Sequence, residues 1–254
     1  MNIQANISTA LYSGISLEAA MDIAYEALKP NGFDAVTYDF SPVPLTHDGE
    51  FILPTVLSMR NVPDDMAPLW CRGGYYGRDP VMDAARRLSR PFNWAHEGPQ
   101  SRVMQETLSD RHQPVVQYLR EKGLSKGITV PIQSPGGSLA TFTAISTGGS
   151  GDVGEESVNL SAVGFLGQLL HDAIMPSLPA QALQSPHVSL TPRELQCLRL
   201  CSSGLTTKEI AHELNRSVAT ITLHLTSATK KLGARNRFQA LALAGHYKLL
   251  RFDA

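Results

Sequence analysis

Ala219, Thr222 and Thr226 recur at spacings of three and four, so on a helix they share one face. That face is small, polar and uncharged, and Thr229 extends it. It suits a surface pressed into a DNA major groove, where a threonine hydroxyl meets several bases and its methyl meets thymine. Lys230, Lys231, Arg235 and Arg237 follow directly and supply the positive charge that phosphates attract. A second group of residues could bind a small molecule. Trp70, Tyr75, Tyr76, Phe92 and Trp94 crowd into 25 residues that also hold Asp79. Aromatic walls with one or two fixed polar groups are what a ligand pocket requires. Each of these residues also has a plainer role: clustered aromatics are usually core, and Asp79 before Pro80 is a natural helix N-cap.

Catalytic constellations are missing from the sequence. There is no G-x-S-x-G elbow, no Walker loop and no H-E-x-x-H. Eight histidines lie scattered without ligand spacing, so no metal and no cofactor is expected. TGGSGDVGEES, at 147–157, has the glycines of a phosphate loop but neither its lysine nor its strand-then-helix setting, and reads as a surface loop. Asp39 is the nearest approach to a receiver-domain phosphoacceptor, but no acidic pair precedes it.

The elements that must position the groove-facing residues are written by capping chemistry. LTPREL sets Thr191 at an N-cap, Pro192 at the first helical position and Glu194 at the third, a capping box. LTTKEI repeats it with Thr206 and Glu209, ahead of a helix that Thr207 begins. Leu190 with Leu195, and Leu205 with Ile210, can staple those entries. RSVATI offers Ser217 as a third cap, so a turn over 215–217 joins two helices, the helix-turn-helix arrangement. Along the helix from about Val218 to Leu232, Val218, Ile221, Leu225, Ala228 and Leu232 form the buried stripe. Gly233 ends it and Asn236 caps a fourth helix. The apolar residues of that helix (Phe238, Leu241, Leu243, Tyr247, Leu249, Leu250) exceed one core face and predict a dimer contact.

The first half alternates helices with a small antiparallel sheet. The spacing predicts a helix over 17–28, a strand over 33–40 and a partner over 51–59, with Pro54 marking an edge or bulge. It predicts a short helix over 64–74, one from Asp79-Pro80 to about Leu88, and one longer helix over 102–121. KGITVPIQS and SLATFTAIS flank Pro135-Gly136-Gly137 as a hairpin. A helix from Val153 to Ile174 closes the domain, and Pro176, Pro179 and Pro186 mark a linker. The fold class is therefore α+β: an N-terminal α-β-α sandwich over 1–175, a linker over 176–189, and an all-α head of four helices over 190–254.

Composition agrees with this division. A chain of 254 residues is long enough for two cores. Its net charge of −1 hides a basic head: from Pro186 onward ten Lys/Arg face four Asp/Glu, +6, leaving −7 on the first 185 residues. Such asymmetry fits nucleic-acid contact confined to one end. Three unpatterned cysteines suit a reducing cytoplasm, with Cys197 and Cys201 one helical turn apart as core residues. No apolar run approaches a membrane span, and the first residues lack the pattern of a signal peptide.

LTPRELQCLRLCSSGLTTKEIAHELNRSVATITLHLTSATKKLGARNRFQALALA resembles the DNA-binding domain of the LuxR family, with the family's glutamate, leucine and glycine on Glu194, Leu198 and Gly204. WCRGGYYGRDPVMDAARRLSRPFNW is similar, more loosely, to the signal-binding domain of LuxR-type quorum-sensing receptors. The resemblance implies that Asp79 accepts a ligand amide N–H, that Pro80, Trp94 and Gly127 are signature positions, and that Thr129 and Thr143 face the ligand. Two positions depart. Counting back from Asp79 without a gap, Met66 stands where the family has a Trp that donates to the lactone carbonyl, and Trp70 where it has a Tyr. Setting Trp70 on the Trp position would need a four-residue deletion. The Met/Trp pair resembles the LuxR solos of plant-associated bacteria, thought to sense plant-derived molecules.

These readings converge on a cytoplasmic, one-component, non-enzymatic transcriptional regulator. Met66, Trp70, Tyr75, Asp79, Trp94, Thr129 and Thr143 are the expected ligand contacts. Thr207, Ser217, Ala219, Thr220, Thr222, Thr226, Lys230, Lys231, Arg235 and Arg237 are the expected DNA contacts. Its partners would be a small-molecule signal, a two-fold-symmetric double-stranded DNA site and a second copy of the chain, with RNA polymerase a candidate. The alternatives are a conventional acyl-homoserine-lactone receptor, a regulator whose aromatic cluster is solid core, and an enzyme acting on the bound molecule. The last lacks any nucleophile–base pair.

Overall fold

A computed structural model describes residues 10–97, 101–134, 136–147 and 156–250. Most of the glycine-rich stretch 147–157, Pro135 and the first residues of the closing helix lie outside them. The chain forms two compact units, one running to Pro44 and resuming over Leu53–Leu183, the other combining Leu45–Ile52 with the chain from Gln184 onward.

The first unit is built on a five-stranded antiparallel sheet: β1 (Ala35–Ser41), β2 (Val56–Arg60), β3 (Phe92–Ala95), β4 (Lys126–Ser134) and β5 (Ser138–Ser146), in the order β2-β1-β5-β4-β3. β4 and β5 are the expected hairpin, and β2 is an edge strand that begins after Pro54. Pro131 is tolerated inside β4 because β3 pairs only up to Thr129, so no ladder bond to that neighbour is lost. Phe92–Ala95 adds a strand that periodicity does not announce, since four residues are too few to establish alternation.

Side chains alternate across the sheet, and each face has its own cover. Val36, Tyr38, Phe40, Ile128, Val130, Ile132, Ala140, Phe142 and Ala144 face α1 (Leu17–Leu28) and α6 (Glu156–Ile174) in one continuous core with Val163, Leu166 and Leu170. The opposite face is covered by α2 (Met66–Cys71), α3 (Pro80–Ala85), α4 (Arg102–Thr107) and α5 (Gln113–Glu121). The α-β-α sandwich is thus present. The single helix expected over 102–121 is two. Leu108 leaves the helical region at φ −63°, ψ 136°, and Pro114, at the start of α5, has no N–H with which to continue a ladder. His112 Nδ1 instead takes the Ser109 amide at 3.0 Å. Beyond α6 the chain stays on this unit: Ser177 Oγ donates to Ile15 O at 2.8 Å, Thr55 Oγ1 to Ala182 O at 2.6 Å, and Ala182 joins the core.

The second unit holds α7 (Pro192–Ser202), α8 (Thr207–Glu213), α9 (Val218–Lys231) and α10 (Arg237–His246). Both capping boxes form, at Thr191/Glu194 and Thr206/Glu209. Ser217 and Asn236 accept the amides of Thr220 and Gln239. Cys197, Cys201, Ile210, Ala211 and Ile221 make the core, and both cysteines are free thiols. Val218 departs from the expected stripe: it is exposed, whereas Ile221, Ala228 and Leu232 are buried.

Gly127 shows how closely the sheet is built. It stands opposite Trp94 in the β3–β4 register. A Cβ added there would lie 2.5 Å from the Ala144 carbonyl oxygen and 2.8 Å from the Trp94 ring. Gly127→Ala is therefore expected to lower unfolding free energy by about 1–3 kcal/mol, read as a fall in the denaturation midpoint. An unchanged midpoint would show that both the strand carrying Ala144 and the Trp94 ring can give way.

Candidate functional site

The sheet face turned toward α2, α3 and α5 is not packed solid. In the β1–β5 register Thr37 stands opposite Thr143 and Asp39 opposite Thr141, and these four side chains form the floor of a cavity. Met66 and Trp70, one turn apart on α2, are both buried in its wall. Tyr76, Asp79, Met82, Trp94 and Leu119 complete most of the enclosure. Its volume is about 40 Å³, room for roughly three water centres. The space suits a compact molecule.

Asp79 has three tasks at once. Its extended backbone (φ −78°, ψ 117°) makes it the N-cap of α3, where Oδ1 accepts the Val81 amide at 2.8 Å and Oδ2 accepts the Trp70 indole N–H at 3.1 Å. It also borders the cavity. Burial pushes its carboxyl up to about 6, against the pull of those donors. Asp39 is a second buried carboxylate. It accepts from the Tyr76 hydroxyl at 2.9 Å and from the Thr141 hydroxyl. Burial raises it to about 7, with the Asp79 charge adding to the rise. Among the described residues, no ion pair reaches either aspartate. The arginines near α3 go to Asp83, which takes Arg86 at 3.1 Å and Arg111, and which also bonds the buried His112 ring at 3.0 Å.

Of the expected ligand contacts, Met66, Trp70, Asp79, Trp94 and Thr143 border the cavity. Two others lie outside its lining. Thr129 is buried behind it, where its hydroxyl accepts the Trp94 indole N–H at 3.0 Å and bonds Thr143 at 2.9 Å. Tyr75 is half-buried, with its ring edge-on to Trp70 and Tyr118 at 5.5 and 6.0 Å. Its neighbour Tyr76 faces the cavity instead. Asp39 and Thr141 were missing from the expected set. An aspartate amid the apolar and aromatic residues of a strand was the available signal, because such a residue is almost never buried without a partner.

The head presents the groove residues on α9. Ala219, Thr222 and Thr226 are exposed, and Thr222 Oγ1 donates to Val218 O at 2.9 Å. Ser217 and Thr220 use their hydroxyls on each other at 2.8 Å. Thr207 is half-buried at the start of α8, and Thr229 is half-buried with its hydroxyl on Leu225 O at 2.7 Å. Lys230 and Arg235 are exposed. Two of the expected phosphate contacts are engaged within the unit: Lys231 Nζ lies 2.8 Å from Glu194 Oε2, and an Arg237 terminal nitrogen 2.8 Å from Cys201 Sγ. Glu194 is the hub. Buried on α7, it accepts from the Thr191 amide and the Ser227 hydroxyl at 2.7 Å each, as well as from Lys231. Burial alone would raise its carboxyl, but these donors outweigh it and hold it at about 2.

Comparison with known proteins follows this division. Residues 16–174 match the family described as "Autoinducer binding domain", and residues 188–244 that described as "Bacterial regulatory proteins, luxR family". Transcriptional activator protein AhyR of Aeromonas hydrophila is 28% identical over 192 residues, covering 74% of this chain and 71% of the relative. Transcriptional activator protein LuxR of Aliivibrio fischeri is 27% identical over 194 residues, covering 76% and 74%. Among solved structures, Escherichia coli SdiA superposes with a TM-score of 0.58 at 19% identity, over 94% of this chain and 93% of that one. CepR2 of Burkholderia cenocepacia, described as an N-acylhomoserine-lactone-dependent LuxR family transcription factor, gives 0.53 at 19% identity, over 69% and 94%. With an autoinducer-binding domain ahead of a helix-turn-helix head, the chain belongs to the LuxR family of bacterial transcriptional regulators.

Proposed function

We propose that this regulator responds to a small amide- or amine-bearing molecule of plant origin, and not to a conventional acyl-homoserine lactone. The observation that carries this reading is the state of the cavity's indole donors. Met66, which has no donor, occupies the wall where the family's lactone-binding Trp is expected. The two indoles present are already used, Trp70 on Asp79 and Trp94 on Thr129. A lactone carbonyl would find neither free, while Asp79 can still accept from a ligand N–H. The fold itself admits other chemistry, since SdiA has been solved with octanoyl-rac-glycerol. A cytoplasmic homodimer addressing a two-fold DNA site, with RNA polymerase as a further partner, completes the reading.

Calorimetric titration with a panel of acyl-homoserine lactones is expected to show weak binding or none, and Met66→Trp to improve it. Asp79→Asn should weaken an amide ligand by about 1.5–3 kcal/mol, or roughly tenfold to over a hundredfold. Submicromolar lactone binding by the unaltered protein would return it to the ordinary quorum sensors.

On the DNA side, Thr222→Ala should change sequence preference at one or two base pairs per half-site. Equal weakening on specific and random DNA would restrict Thr222 to the backbone. Lys230 and Lys231 should behave differently despite being neighbours. Lys230→Ala is expected to reduce the salt dependence of binding by about one charge. Lys231→Ala should instead lower the head's stability, by on the order of 1 kcal/mol because its own end is partly solvated. Identical salt slopes and stabilities for the two variants would remove this distinction.

A further inference from the structure

We propose that Asp39 is a second anchor for the ligand, and that the ligand group it receives is a protonated amine. The inference rests on the reading that Asp79 takes a ligand N–H in this cavity. It extends that reading to a molecule with an N–H donor for Asp79 and an ammonium for Asp39.

The polar balance of the cavity is one-sided. Its aspartates are acceptors, and the hydroxyls nearest Asp39 already donate to it, Tyr76 at 2.9 Å and Thr141 from the opposite strand. A carboxylate offers about four lone-pair sites, so two donors on Asp39 and three on Asp79 (Trp70 and the Val81 and Met82 amides) leave each aspartate with capacity to spare. What the enclosure lacks is positive charge. Among the described residues no Lys, Arg or His pairs with Asp39 or Asp79, and the nearby cations Arg86 and Arg111 are held by Asp83, which also bonds the His112 ring. Two carboxylates sharing a buried space without a counter-ion is a costly arrangement. A neutral ligand would leave that cost in place, whereas an ammonium group offsets it. The rings of Trp70, Tyr76 and Trp94 around the same space are also the surroundings in which a cation is favoured.

Without a cationic ligand the cavity should therefore resist full ionisation. The titratable groups facing Asp39 are Asp79 and Tyr76, with the compensated Asp83 behind Asp79 on α3. Burial and the Asp79 charge hold Asp39 up, at about 7, above its value of about 3.9 in an unfolded chain. A raised carboxyl destabilises the folded state progressively as pH climbs from about 4 to about 7.

The test uses the full chain, purified free of ligand, and two matched probes. N-propylglycinamide carries an amide N–H and an ammonium; N-propylpropanamide replaces the ammonium with a methyl group. Calorimetry on the unaltered protein should show the cationic probe binding at least roughly tenfold tighter. Asp39→Asn should bring the two probes to within about twofold of each other, and Asp79→Asn should weaken both. Without any ligand, the melting temperature of the unaltered protein should fall between about pH 4 and about pH 7, and Asp39→Asn should flatten that fall. Equal affinities in the unaltered protein overturn the proposal even if the variant fails to fold. So does a cationic preference that survives Asp39→Asn, or a pH dependence that the variant leaves unchanged. If the neutral amide still binds in an Asp79-dependent way, the amide reading stands while the ammonium proposal falls. If neither probe binds, both fall together.

Discussion

A carboxylate taken out of water must be given donors or cations, and the functional parts of this chain are organised where that requirement is met. Glu194 meets it fully, with an amide, a hydroxyl and an ammonium. Asp83 meets it with two arginines and a histidine. Asp39 and Asp79 meet it only with neutral donors. Fully compensated carboxylates hold elements together. The two left short of charge line the cavity.

Strand alternation is what brings the latter pair together. Along β1, Val36, Tyr38 and Phe40 pack under α1 and α6, so Thr37 and Asp39 must point to the other face. That face could have been filled by the helices above it. It is kept open partly by its polar floor, because threonines and an aspartate cannot pack as an apolar core does, and partly by the fixed positions of the indoles. Each tryptophan N–H is tied to a neighbour, Trp70 to the N-cap of α3 and Trp94 to a threonine of β4. Trp94 is set further by Gly127, whose missing side chain leaves room for the ring.

In the head, the same logic separates residues that hold α9 from residues that α9 offers. Glu194 reaches from α7 to Ser227 and Lys231, on the side of α9 turned into the unit. Ala219, Thr222 and Thr226 are left outward. A rigidly held helix presents its outer face in one orientation, which is what reading bases in a groove demands. Leu223, 70% exposed between them, adds an apolar contact to that surface.

Much of this was legible in order along the chain, because its causes are local. Capping boxes at Thr191 and Thr206, the caps at Ser217 and Asn236, the β4–β5 hairpin and the N-cap role of Asp79 all depend on partners within a few residues or across one turn. The charge split and the signature residues likewise located the DNA-reading end. The remainder was decided by tertiary structure, because its causes are distant. Nothing near Asp39 in sequence shows that it will meet Tyr76, 37 residues away, or Thr141, 102 away. Nothing beside Lys231 shows that it will pair with Glu194, also 37 residues away. Tyr75 and Tyr76 are alike in type and adjacent, and only the path of the chain before Asp79 decides which ring reaches the cavity. The sequence alone determined most of the helices and strands, the strand Phe92–Ala95 and the break after Thr107 excepted, and which end carries the DNA-binding domain, since short-range hydrogen bonds and periodicity set those. Which carboxylates are left short of charge was determined only when the sheet and helices closed over them, because that depends on what lies across the fold.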